Sequence, residues 1–204
     1  MSPQTALTDR DSEILEVLAT RVRCLSVKQV ADHWWHESQD RQRNAKARLR
    51  KLVEDGWRHS VAILARPLPE FTRPLVVWEP SQAMPSFAEI AYHLKTRFSA
   101  PVVTTPVVYA IRQAASRFGG QPGRVPRRAE ATHDLGLAQV FLKFLRENPA
   151  RARRWIAESD LVQGRPRAAQ KVPDALIRTR SGKETAIEFG GEYIKEKLTI
   201  SCCH

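Results

Sequence analysis

Ser38-Gln39-Asp40-Arg41-Gln42-Arg43-Asn44-Ala45-Lys46-Ala47-Arg48-Leu49-Arg50-Lys51-Leu52-Val53 decides how the first third of this chain is read. Ala45, Leu49, Leu52 and Val53 form an apolar stripe at helical spacing, and Arg41, Arg43, Lys46, Arg48, Arg50 and Lys51 crowd the remaining surface. Ser38 is the expected cap of this helix and Asp55-Gly56 its stop. Working outward, Ser26-Val27-Lys28-Gln29 is a capping box, with Ser at the cap and Gln at the third helical position, opening a short helix through Val30, Ala31 and Trp34. Thr8 and Asp11 open an earlier helix over about residues 9 to 20, with Ile14, Leu15, Val17 and Leu18 on its apolar side.

Three helices of these lengths, the middle one short and the third heavily basic, predict a helix-turn-helix whose last helix enters the major groove of duplex DNA. A wing is expected to follow: Trp57 to Leu64 as a strand, Arg66-Pro67-Leu68-Pro69-Glu70 as a turn, and Leu75 to Trp78 as the return strand. Gln39, Arg41, Gln42, Arg43, Lys46 and Arg50 are the candidate DNA contacts. A helical bundle serving protein contact alone is the competing reading. Trp34, Trp35 and Trp57 are expected to pack in core and hinge. Beyond the wing, Ser86 caps a helix over Phe87 to Phe98, Pro101 to Pro106 reads as an extended bridge, and Val107 to Phe118 has helical spacing. Arg124, Arg127 and Arg128 follow a Gly-Pro break and are further candidate DNA contacts.

The chain has 204 residues, with 33 Lys plus Arg against 22 Asp plus Glu, a formal charge of +11 and a pI near 10.1. A hydrophobic content of 42% excludes a disordered basic tail, and no apolar run approaches the roughly 20 residues that a membrane-spanning helix needs. From Arg112 to Arg154 there are ten basic residues and three acidic ones, Glu130, Asp134 and Glu147. Such a cluster suits phosphate backbones, through counterion release and bidentate Arg contacts. Three cysteines form no disulfide framework, and the N-terminus lacks a secretory pattern, so a cytoplasmic protein is expected.

Thr132 is the expected cap of a helix carrying Leu135, Ala138, Phe141 and Leu142, with His133 and Asp134 in its first turn. Lys171 to Arg178 and Glu184 to Phe189 then read as two strands joined by a hairpin turn at Arg180-Ser181-Gly182-Lys183. Asp174 opens the first strand and Glu188 closes the second, so the two carboxylates face each other at one end, where they could hold Mg²⁺ or Mn²⁺ for phosphodiester hydrolysis. Asp174 could equally pair with Arg178 or Lys171, and Glu188 with Lys183. Cys202-Cys203-His204 has poor spacing for zinc.

Pro173-Asp174 followed by Glu188 resembles the core of the PD-(D/E)XK nuclease fold. Together with the N-terminal helices, His133-Asp134-Leu135 and Ala186-Ile187-Glu188-Phe189-Gly190-Gly191-Glu192-Tyr193, the order over about residues 7 to 198 is similar to the replication-relaxation family of plasmid and mobile-element proteins. The resemblance implies an α+β chain: a winged helix-turn-helix domain over 1–80, a helical linker and basic loop over 81–125, and a nuclease-like α/β domain over 126–204 that is short at its C-terminal end. It implies binding to double-stranded DNA in plasmid replication, relaxosome formation or mobilisation, with a relaxase or another replicon protein as partner and a homodimer as one form. The alternatives are a metal-dependent endonuclease and an adaptor for a relaxase or secretion partner. Where the nuclease pattern has Lys two residues after the Glu, this chain has Gly190. Lys195 would have to substitute from the following helix, with His133 assisting at the rim of a site built on Asp174 and Glu188.

Overall fold

A computed structural model gives the fold, and describes residues 6–68, 70–72, 76, 82–97, 99–163 and 172–189. Helix α1 (Asp9–Thr20) starts where Thr8 accepts from the Asp11 backbone N–H while the Asp11 carboxylate accepts from the Thr8 backbone N–H. Strand β1 (Leu25–Ser26) leads into α2 (Val27–Trp34), which Ser26 and Gln29 cap in the same reciprocal way. Caps of this kind contribute about 1 kcal/mol each and fix where a helix begins. Helix α3 (Arg41–Glu54) begins three residues after Ser38. Ser38 stays in the preceding turn because its N–H bonds to Trp35 O, and its hydroxyl accepts from Asn44 Nδ2 at 2.8 Å.

Strand β2 (Arg58–Ala65) follows, then α4 (Phe87–Arg97), β3 (Val103–Ala110) and α5 (Arg112–Phe118). The first sheet is antiparallel, in the order β1-β3-β2. Two expectations fail here. Val107 to Ala110 are strand, not helix, and residues 103–118 are not linker: Val108, Ala110 and Ala114 are fully buried in the core. Burial of β-branched residues along an existing strand edge outweighs a helical spacing that only α5 realises. Pro106 is tolerated because β1 covers only Val107 and Val108, leaving the strand one neighbour at the proline. Of the return strand expected over 75–78, only Val76 lies among the described residues, outside any strand; the partner along the whole of β2 is β3.

Helix α6 (Ala131–Glu147) comes next, preceded by Glu130 at its cap position and with Thr132 already inside its first turn. The Thr132 hydroxyl instead accepts from the Arg66 backbone N–H, tying the end of β2 to α6. A short α7 (Pro149–Ala152), β4 (Trp155–Ala157) and α8 (Glu158–Val162) lead to the hairpin of β5 (Ala175–Arg178) and β6 (Glu184–Ile187). Gly182 takes the left-handed conformation, with φ +82°, that this turn requires. The second sheet, β4-β5-β6, is also antiparallel, so the described residues form an α+β architecture of eight helices and two three-stranded sheets.

One apolar core joins the two sheets. It runs from Ile14, Leu15, Leu49 and Leu52 through Val108 to Phe141, Trp155 and Ile177. At the junction Arg21 donates to Trp155 O at 2.5 Å and Trp155 Nε1 returns a bond to Arg21 O at 3.1 Å. Among the described residues no helix is long and apolar enough to cross a membrane.

Candidate nucleic-acid interface and the Asp174 cluster

Helix α3 turns Ala45, Leu49 and Leu52 inward and leaves Arg41, Gln42, Arg43, Lys46 and Arg50 exposed, with Gln39 exposed just before it. The ion pairs on this surface are loose: Arg43 to Asp40 and Arg50 to Glu54 are both 3.9 Å. Exposed pairs of that length hold their charges weakly, so a phosphate can replace the carboxylate at little cost. Arg48 belongs to a different group. Its Nε donates to Asp11 at 2.9 Å and its Nη2 to both Asp11 and Ala6 O, while Asp11 is fully buried. Burial alone would raise the Asp11 carboxyl; Arg48 and Thr8 more than offset it and hold the carboxyl below its usual range. This pair fastens α3 to α1, so the cations on the other face of α3 project from a fixed support.

Trp34, Trp35 and Trp57 do not offer open stacking platforms. Trp34 and Trp57 are buried, and Trp34 Nε1 donates to Glu13 at 2.9 Å. The half-buried Trp35 carries the Arg10 guanidinium 4.6 Å from its ring centre. In the basic loop Arg124 bonds Glu130 at 2.7 Å and Arg127 lies 3.7 Å from the same carboxylate, while Arg128 is exposed. The Arg124 hydrogen bond holds the Glu130 carboxyl low, so this one acid takes up part of the charge of two arginines.

Asp174 and Glu188 stand one step beyond the Ala175–Ile187 pair, so the hairpin brings them to one end as expected. Their carboxylates have different surroundings. Asp174 Oδ2 accepts from the Phe189 backbone N–H at 2.7 Å and lies 2.9 Å from His133 Nε2. Glu188 is exposed. The other ring nitrogen of His133 faces Asp134 at 3.6 Å. Asp134 and Asp174 together outweigh the effect of burial and raise His133 to about 9. The shorter contact, to Asp174, is the hydrogen bond, and that to Asp134 is a charge contact. At neutral pH His133 is therefore a cation with both nitrogens directed at carboxylates, and offers no lone pair for general-base work.

Arg23 completes the cluster, reaching Asp134 at 3.3 Å and Glu158 at 2.5 Å. Arg23, Arg124, His133, Glu158 and Asp174 line a cleft of about 270 Å³. Nothing in the local sequence marks Arg23 or Glu158 as members, because Arg23 and Glu158 are 135 residues apart. Asp134 is signalled only by its place beside His133. Phe189 lies over Gly136, where an added Cβ would fall 2.0 Å from the ring.

A divalent cation fits this arrangement poorly. One Asp174 oxygen, Oδ2, already receives an N–H and an imidazolium, and among the described residues no three His, Cys, Asp or Glu side chains are placed to hold a metal. Lys195 and Cys202-Cys203-His204 lie outside the described residues. No family model matches the chain, and no curated protein or solved structure matches it either.

Proposed function

We propose that this chain is a double-stranded DNA-binding protein that reads the duplex with α3, presented by a winged-helix unit. The observation that carries this reading is the exposed cationic face of α3, set in the order α1-β1-α2-α3-β2-α4-β3 with an antiparallel β1-β3-β2 sheet. In that order α2 and α3 are the two helices of a helix-turn-helix, and the antiparallel strands β2 and β3, connected through α4, take the place of the wing strands. A formal charge of +11 supports a polyanionic partner. The role proposed with it, on the resemblance to replication-relaxation proteins alone, is in replication, relaxosome formation or mobilisation of a plasmid or mobile element, with a relaxase or another replicon protein as partner.

The endonuclease reading is the weaker one, since His133 and the Phe189 amide both engage Oδ2 of Asp174. The test is the affinity of the whole chain for duplex DNA as salt is raised from about 50 to 200 mM. Each phosphate contact contributes about 0.9 to the slope of log affinity against log salt. A steep negative slope supports the reading, and weak, salt-insensitive association contradicts it in favour of an adaptor.

A further inference from the structure

Three helices meet at Asp32. Lys28, one turn earlier on α2, forms an ion pair with the Asp32 carboxylate. Arg41, the first residue of α3, brings Nε to 3.3 Å from Asp32 Oδ1. Arg146, near the end of α6, donates to the Asp32 backbone carbonyl at 3.1 Å. Two cations thus face the Asp32 carboxylate and a third holds its backbone carbonyl, and all three stay accessible: Lys28 is 70% and Arg41 49% exposed at the side chain, and Arg146 is exposed.

The neighbouring charges reduce that excess without removing it. Lys143 and Glu147 pair with each other at 2.5 Å, and Glu70, which lines the adjoining cleft, offsets one charge. His33 adds none, because burial, aided by Arg146, pushes it down to about 4.

The position of this group matters as much as its charge. Arg41 opens the helix whose exposed face carries Gln42, Arg43, Lys46 and Arg50, so the cations at Asp32 continue that face past the α2–α3 turn and onto α6. Helix α6 is fixed there along its length: Thr132 accepts from Arg66 at the end of β2, Gln29 Nε2 donates to Leu135 O and Gln139 Oε1, and Arg146 holds Asp32 O. A side chain anchored this way is pre-organised and loses little entropy when it engages a ligand.

We propose that Lys28 and Arg146 bind a phosphodiester of the DNA backbone beside the α2–α3 turn, making α6 a part of the DNA interface. The inference rests on the DNA-binding reading above. Asp32 acts as the positioning residue: it orients Lys28 and Arg41, and its negative charge weakens the contact it organises.

The experiment compares three variants of the whole chain with the unchanged protein on a short random-sequence duplex, from about 50 to 200 mM salt, each checked by thermal melting. Lys28→Gln with Arg146→Gln removes the contact with that one phosphate, so the salt slope falls by about 0.9 and the loss of affinity across that range becomes about threefold smaller. Asp32→Asn removes the competing carboxylate and tightens binding severalfold at low salt, an effect opposite to that of structural damage. Arg43→Gln with Lys46→Gln is the control for α3. An unchanged slope in the Lys28 and Arg146 variant, or weaker binding by a normally melting Asp32→Asn protein, overturns the inference while the α3 variant still loses affinity. If the α3 variant also binds normally, the DNA-binding reading itself fails.

Discussion

Replacing His133 by Gln should cost stability at low pH and far less at high pH. The imidazole titrates at 6.5 in an unfolded chain and at about 9 in the folded protein, with Asp134 and Asp174 as the cause. At 1.36 kcal/mol per pH unit that difference corresponds to about 3 kcal/mol of folding stability, and to about 2 kcal/mol once the 31% exposure of the side chain is allowed for. The sign follows from linkage. Because the folded pKa lies above the unfolded one, the contribution is fully present below pH 6.5 and is lost as pH rises through 9. Urea unfolding of the unchanged protein and the His133→Gln variant, at about pH 6 and about pH 9.5, should show a gap that shrinks by about 2 kcal/mol between the two conditions. Asp174→Asn should move the decline to lower pH, since it removes the partner at 2.9 Å. A gap of the same size at both pH values would refute the ion-paired imidazolium, and with it the reason for reading Asp174 as a structural group.

Asp11→Ala leaves Arg48 without its buried partner and should destabilise by about 3 to 5 kcal/mol in urea unfolding; a loss below about 1 kcal/mol would show that the pair does not fasten α3 to α1. Gly136→Ala, although favourable for helix propensity, places a methyl 2.0 Å from the Phe189 ring and should cost about 1 to 3 kcal/mol; a stabilised variant would contradict the observed contact between α6 and the hairpin. Supercoiled, linear and single-stranded DNA should all remain intact with Mg²⁺ or Mn²⁺. Cleavage that disappears in both Asp174→Ala and Glu188→Ala would show that the Asp174 cluster rearranges into a catalytic site.

What the sequence made legible was local. Thr8 with Asp11, and Ser26 with Gln29, signal helix starts across three residues, and both starts are realised. The hairpin at Gly182 is equally local, and it brings Asp174 and Glu188 to the same end of the β5–β6 pair. Strand β3 was not legible because its evidence is its partner: Val103 to Ala110 becomes a strand by pairing with residues as far away as Leu25, and the chain itself offers only a proline and an ambiguous spacing. The same limit hid the character of the candidate site. That Asp174 and Glu188 share one end of the hairpin follows from a turn, whereas the bond of Asp174 to His133 spans 41 residues and depends on how α6 packs against the second sheet. Arg48 shows the converse error of reading charge alone. It sits among DNA-contact candidates in the sequence, yet the fold commits it to Asp11.

The central claim is that the exposed cations of α3 bind duplex DNA, and the most direct test is a binding titration of Arg43→Gln with Lys46→Gln. Both side chains are exposed and distant from the core, so thermal melting should be unchanged, while affinity at about 100 mM salt falls at least tenfold and the salt slope drops by about 1.8. Unchanged affinity and slope in a normally folded double variant would contradict the account.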